Sequence, residues 1–319
     1  MKKLLPLWAI FVVFSCNTDD KPIETVLYDF ENGAFLRTVA TRNCEFHVGE
    51  PTSLFSIDIE EQDKLDGALM ESVDVFVQFL DQTVEGSNYS TEEIHLETLT
   101  PEDFAVGSFN LPVTTLEYSF NELSEAVGVP IPQIVCKDQF IIRLVLSLSN
   151  GLVFSNDNSS ACILVRDTQY GSPFLYTINV VEPIDQSMFT GLYRYESIVD
   201  GPFGPTFGEP FVVEVINGHS NNVREVYFDN FPTRPPRGYL FTIACDETIF
   251  EKNQNRYNTL NGECLNTGMP IVLGPDTVNA VIDPLDDSIF ELWFVEGYLG
   301  FDGGFGFGTQ PSRLRFTKQ

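Results

Sequence analysis

Val73-Asp74-Val75-Phe76-Val77-Gln78-Phe79 decides the fold. Apolar side chains fall on every second residue, the period of a strand whose neighbouring side chains point to opposite faces. Phe55-Ser56-Ile57-Asp58-Ile59-Glu60, Ile94-His95-Leu96-Glu97 and Ile142-Arg143-Leu144-Val145-Leu146-Ser147-Leu148 repeat the pattern. Each reads as a half-buried antiparallel strand, with one face on a core and one in water. Phe140–Leu148 and Leu152–Phe154 flank Asn150-Gly151, a two-residue hairpin signal. One helix is predicted. Ser119-Phe120-Asn121-Glu122 fits a capping box, Phe120, Leu123 and Val127 share a face, and Gly128 with Pro130 stops it. Strands at this spacing, punctuated by Gly, Asn and Asp, predict an immunoglobulin-like β-sandwich over residues 31–182.

Working outward, a second unit is predicted over 186–319. Phe189-Thr190-Gly191-Leu192-Tyr193 opens it, and Phe211–Val215, Val223–Phe228, Gly238–Ala244, Val278–Ile282, Ile289–Val295 and Leu314–Phe316 follow as strands. The sequence leaves open whether they form a second sandwich or a small, lipocalin-like barrel. No internal repeat relates the halves. The fold class expected is all-β.

Composition agrees with packed cores: 43% of the residues are hydrophobic and 28 are Phe, too many for disorder. The formal charge is −28. No basic cluster offsets it, so a phosphate backbone is repelled and nucleic acid is excluded as a partner. The acids leave carboxylates for Ca²⁺. Asp283-Pro284-Leu285-Asp286-Asp287 and Asn156-Asp157-Asn158 gather oxygen ligands without EF-hand spacing. They read as solvated turns, Ca²⁺ is the weaker alternative, and no cofactor is expected.

At the start of the chain Lys2 and Lys3 precede the apolar run Leu4–Phe14. Eleven helical residues span about 16 Å against a hydrocarbon core of ~30 Å, so the run reads as a secretory signal and not a membrane span. Val13-Phe14-Ser15-Cys16 follows, and it resembles the lipobox of bacterial lipoproteins. That resemblance implies removal of residues 1–15 and acylation of the Cys16 thiol and amine. The plainer alternative is an ordinary signal with an incidental cysteine. Cleavage would remove two of the 18 basic residues and none of the 46 acids, leaving a charge of −30. Asn17-Thr18-Asp19-Asp20-Lys21 is similar to the acidic patch that sends Bacteroidota lipoproteins to the exterior face of the outer membrane. The bland reading is a solvated acidic tether. Residues 16–30 are expected to be the lipidated tether that links the folded part to the membrane.

Five cysteines follow Cys16: Cys44, Cys136, Cys162, Cys245 and Cys264. An exported chain favours disulfides, and an odd count leaves one thiol over. Extending the Asn150-Gly151 hairpin brings Cys136 and Cys162 toward one open end. Cys245 and Cys264 flank a polar loop, so these two pairings are predicted, with Cys44 free.

Catalytic signatures are missing. His47, His95 and His219 sit in three separate segments and read as solvated surface residues. There is no GxSxG elbow, HExxH helix or phosphate loop, and enzymatic activity is not expected. The binding signals are better. Ile289-Phe290-Glu291-Leu292-Trp293-Phe294 puts Trp293, the one Trp outside the leader, on the outer face with Glu291. Tyr298, Phe301 and Phe305 follow in a Gly-rich loop, and Phe203 and Phe207 lie in another. Glycine strips these loops of bulk, so their rings either meet a sugar or partner or fold back over a barrel mouth.

The lipobox, the acidic residues after Cys16 and the hairpin-rich segments ending in Leu314-Arg315-Phe316-Thr317-Lys318-Gln319 resemble a group of proteins. These are the small accessory lipoproteins beside SusC/SusD-type uptake systems of Bacteroidota. Gly33-Ala34-Phe35-Leu36-Arg37-Thr38, ahead of the first expected strand, belongs to the same likeness. The resemblance implies capture of glycan or peptide at the cell surface, or support of an outer-membrane transporter. The competing expectation is a structural or adhesive surface protein with no small ligand.

Overall fold

Val73, Val75, Val77 and Phe79 are fully buried, while Asp74, Phe76 and Gln78 between them are half-exposed. Phe140, Ile142, Leu144 and Leu146 repeat this on a neighbouring strand. Each such side chain contributes roughly 1.5–3 kcal/mol by leaving water, so alternation fixes which face of the strand turns inward. The computed structural model describes residues 33–83, 86, 88–166, 170–228, 237–256, 271–299 and 308–319. The expected leader, the tether with Cys16, and Cys264, Phe301 and Phe305 lie outside them.

The first half contains strands β1 (Phe35–Asn43), β2 (Glu45–His47), β3 (Leu54–Gln62), β4 (Met70–Leu80), β5 (Ile94–Leu99), β6 (Ala105–Val106), β7 (Pro112–Ser119), β8 (Gln139–Leu148), β9 (Val153–Phe154) and β10 (Leu175–Val181). One sheet has the order β1-β3-β7-β6 and the other β2-β10-β8-β4-β5, with β9 also on β8. The chain changes sheets at Cys44: β1 runs antiparallel to β3, and β2 runs parallel to β10. This is the A-B-E-D and G-F-C arrangement of an immunoglobulin-like sandwich, with the first strand split between the sheets. Phe35–Thr38, expected ahead of the first strand, already belong to it. Helix α1 (Phe120–Val127) crosses between β7 and β8, and a short α2 (Ala161–Leu164) follows β9.

In the second half β11 (Gly191–Val199), β12 (Val212–Asn217), β13 (Val223–Phe228), β14 (Arg237–Ala244), β15 (Glu247–Phe250), β16 (Gln254–Asn255), β17 (Val272–Pro275), β18 (Ala280–Val281), β19 (Ile289–Glu296) and β20 (Gln310–Lys318) form one ten-stranded sheet. Its order is β16-β17-β19-β20-β11-β12-β13-β14-β15-β18. The sheet curls into a half-barrel until β15 meets β19, where Thr248 Oγ1 donates to Glu291 O at 2.6 Å. Its interior is filled with rings. Phe290 stacks on Phe316 at 4.7 Å, and Phe250 stacks on Phe294 at 4.6 Å.

The halves keep separate cores yet belong to one compact unit, Ala34–Gln319. Their joint overturns the expected disulfides. Cys136 pairs with Cys245 across the halves, with Cα atoms 6.3 Å apart. It does not pair with Cys162, which is disulfide-bonded elsewhere, and Cys245 is therefore not bonded to Cys264. Extension of the hairpin register predicts a bridge within the sandwich. Instead Cys136 lies on a connection before β8 that faces the β14–β15 turn, where Lys137 Nζ meets Asp246 at 2.6 Å and Glu247 at 2.8 Å. Cys44 is free, as expected. A second fastening is polar. The Asn222 backbone N–H donates to the buried Glu45 carboxylate at 3.0 Å, and Asn222 Nδ2 donates to Glu182 O at 2.7 Å. The fully buried Arg224 adds bonds to Met188 O and Asn221 O, holding the connecting segment in place.

Candidate functional site

The surface expected around Trp293 forms, but the protein uses its polar handles itself. Phe290, Leu292 and Phe294 take the inner face of β19, so Glu291 and Trp293 project together from the outer one. Trp293 Nε1 donates to Glu291 Oε2 at 2.9 Å, and Arg315 Nη2 donates to Glu291 Oε1 at 3.0 Å. The Arg313 guanidinium lies 3.9 Å from the indole centroid. A sugar ring would have to displace this stacked cation to reach the indole face.

The other aromatic candidates among the described residues, Phe203, Phe207 and Tyr298, differ in their surroundings. Phe207 is buried in the half-barrel core, stacked on Phe228 at 4.0 Å, so no ligand reaches it. Its loop has folded back over the barrel end. A buried pair anchors that loop: Arg256 Nη1 meets Glu296 Oε2 at 2.5 Å, and Thr206 Oγ1 donates to Glu296 Oε1 at 2.6 Å. Phe203 is 55% exposed, with the Arg256 guanidinium 5.9 Å from its ring. Tyr298 is half-buried and fills the space beside Gly274, where an added Cβ would come within 2.3 Å of the ring. Burial holds its hydroxyl above the ordinary tyrosine range.

A different place has the makings of a site. A cleft of about 900 Å³ opens between the sandwich and the half-barrel. β1 with Thr38 and Ala40, and β10 with Tyr176 and Thr177, supply one wall. Glu251-Lys252-Asn253, directly after β15, and Asp276-Thr277 supply another. Four of the 18 basic residues line it (Arg37, Lys137, Arg166 and Lys252) against three acids, Glu247, Glu251 and Asp276. Across the whole chain acids outnumber bases 46 to 18, so the cleft reverses the balance of the protein.

His219 belongs to this cleft and is not the solvated residue expected: its side chain is only 15% exposed. Its Nδ1 lies 2.8 Å from Ser220 Oγ, and its Nε2 lies 3.5 Å from Glu251 Oε1. Burial opposes the charge on Glu251, but the hydrogen bond from His219 and the His219 and Arg166 charges outweigh it and hold Glu251 below the usual carboxylate range. His47 is also partly buried, between Glu45 at 3.1 Å and Glu50 at 3.0 Å. His95 is 49% exposed, as expected. Cys44 lines the cleft beside Ser220, whose hydroxyl accepts from its backbone N–H at 3.0 Å. Burial first, and the Glu251 and Glu45 charges second, push the Cys44 thiol far above the ordinary range. A nucleophilic cysteine needs the opposite surroundings.

Two groups in the cleft are left unspent. Lys252 Nζ donates to Thr177 Oγ1 at 3.0 Å and meets no carboxylate among the described residues. Burial alone lowers its pKa. Asn253 Oδ1 is buried without a hydrogen-bond partner among the described residues, and its backbone has φ +59°. Sequence reasoning passed over both. They lie in the polar stretch between Cys245 and Cys264, and their signal is a lysine in a chain poor in lysine, just after a strand. Two carboxylates of the Asp283–Asp287 turn are taken up within the protein: Asp283 Oδ1 accepts from Leu285 N at 2.9 Å, and Asp287 Oδ2 accepts from Phe189 N at 2.9 Å. Among the described residues no cluster of three His, Cys, Asp or Glu side chains suits a metal ion. No protein-family model matches this sequence, and no curated protein matches it.

Proposed function

We propose that this chain is a lipid-anchored surface protein that captures a nutrient ligand, glycan or peptide, beside an outer-membrane uptake complex, and that the ligand sits in the cleft between the two halves. The anchor rests on the sequence around Cys16 and the location on the acidic residues that follow it. The observation that carries the binding reading is that, among the described residues, Lys252 Nζ meets no carboxylate and Asn253 Oδ1 receives no donor, in a cleft large enough for a small ligand. Buried polar groups are almost always paired, so an orphan at a concave surface marks a place for a ligand. The fastened joint supports the same reading, because walls that are already fixed spend little ordering free energy on binding.

The test is a melting-temperature screen of the full chain against oligosaccharides and peptides. A ligand should raise the melting temperature of the wild type and of Trp293→Ala, and fail to do so for Ala40→Trp, whose indole fills the cleft. A shift lost in Trp293→Ala and kept in Ala40→Trp would move the site to the outer face of β19. Cys16→Ser should abolish both palmitate incorporation and membrane association.

A further inference from the structure

Glu251, Lys252 and Asn253 line the cleft as three consecutive polar residues, and among the described residues only the first meets an opposite charge. Glu251 has His219. Lys252 has three N–H donors and, among the described residues, one hydrogen bond, to Thr177 Oγ1. Asn253 Oδ1 has none among the described residues, and the residue is held in the left-handed region while its own carbonyl accepts from Arg166 N at 2.8 Å. Asn tolerates that region better than most residues, and such conformations collect at binding sites. Consecutive residues of the cleft lining thus carry an ammonium that meets no carboxylate and a buried acceptor that receives no donor among the described residues.

These two groups specify a ligand by its chemistry. The ammonium calls for an anionic oxygen. The Asn253 oxygen calls for an O–H or N–H donor, which a lone inorganic anion does not bring. The rest of the lining is rich in groups that bond hydroxyls in either direction: four threonines (Thr38, Thr41, Thr177, Thr277) and the amides of Gln82, Gln139, Asn179 and Asn279. A ligand dense in hydroxyls fits that wall. We propose that the cleft selects a carboxylated sugar, with its carboxylate on Lys252 Nζ and a neighbouring hydroxyl donating to Asn253 Oδ1. This rests on the cleft being the ligand site and adds the charge and class of what it takes.

The experiment is titration calorimetry of the full chain with trigalacturonate, with neutral galactotriose of the same length, and with an acidic tripeptide. Trigalacturonate should bind about tenfold or more tightly than galactotriose, the scale of one charged hydrogen bond. Lys252→Met should erase that preference and Lys252→Arg restore it. Asn253→Gly keeps the backbone conformation and should weaken both trisaccharides. Circular dichroism of each variant checks that the fold is retained. Equal affinity for the two trisaccharides, a preference that persists in Lys252→Met, tighter binding of the tripeptide, or no binding at all would each overturn the proposal. Failure of the cleft itself reads differently: Ala40→Trp would then leave whatever binding occurs unchanged.

Discussion

Glu61 is fully buried in β3, and neither carboxylate oxygen has a hydrogen-bond partner among the described residues. Burial first, and the negative charge of Asp63 second, push its pKa up to about 8. Its neighbours leave no room to adjust: at Gly67 an added Cβ would lie 2.3 Å from the Pro112 ring and 2.9 Å from Glu61 Oε2. The sign follows from linkage. The folded protein keeps this proton up to about pH 8, whereas the unfolded chain releases it near the ordinary glutamate value of 4.5. The stabilisation is therefore complete below that value and is lost as pH rises toward 8. Each pH step of one between those two values removes about 1.4 kcal/mol, so the whole loss is roughly 3–5 kcal/mol. Urea titrations at about pH 5 and about pH 8, either side of most of that loss, should show it, and Glu61→Gln should flatten most of the slope. His47 slopes the same way, since hydrogen bonding to Glu45 raises its pKa. Its contribution is present below the ordinary histidine value and lost above its raised one, so His47→Gln in the Glu61→Gln background should reduce the slope further. A Glu61→Gln variant as pH-dependent as the wild type would refute the assignment.

Elements built from local chemistry were readable one residue at a time. Ser119 Oγ accepts from Glu122 N at 3.2 Å, the Glu122 carboxylate accepts from Ser119 N at 2.7 Å, and Gly128 ends α1 at φ +71°. All of this was legible because a cap involves groups within a few residues of each other. Ser119→Ala should cost about 1 kcal/mol. Gly128→Val, a β-branched residue forced into the left-handed region, should cost more than about 1 kcal/mol. Both are measurable as shifts in urea midpoint. The Asn150-Gly151 hairpin was readable for the same reason, and it pairs Ser147 with Val153. What stayed hidden depends on partners distant in sequence. The parallel pairing of β2 with β10 joins Phe46 to Val180, and nothing in Glu45–His47 announces it. Alternation in β11–β20 established strands but not curvature, because closure is decided where β15 meets β19, 43 residues apart in the Thr248–Glu291 bond. Phe203 and Phe207 read identically as sequence, yet one is exposed and the other is the stacked plug of the barrel end. Their difference is set by the buried Arg256–Glu296 pair that fixes the loop between them and β19.

At the scale of the whole molecule the cleft exists only because two halves with separate cores are held at one fixed joint. Lys252 and Thr177, the two ends of the hydrogen bond that crosses it, come from opposite halves, so the site could not be read from either half alone. The joint combines a covalent link closing a sequence separation of 109 residues, the Lys137 pairs with Asp246 and Glu247, and the Glu45–Asn222 contact. A cross-link closing a loop of that size removes unfolded-state entropy worth about 4–5 kcal/mol. The double variant Cys136→Ser/Cys245→Ser should therefore melt well below the wild type. Because each half keeps its own core, its calorimetric trace should also broaden or split as the halves lose one of the ties that make them unfold together. Ser119→Ala is the control: it lowers stability within the sandwich, should leave a single transition, and should leave ligand affinity unchanged. The double variant should bind more weakly even where it is still folded, because the walls must then be brought together at the ligand's expense. Scanning calorimetry and titration of the same preparations separate the two effects. A double variant with an unshifted, single transition would mean that the remaining contacts hold the halves together without the Cys136–Cys245 bridge, and that this disulfide adds nothing to the shape of the cleft.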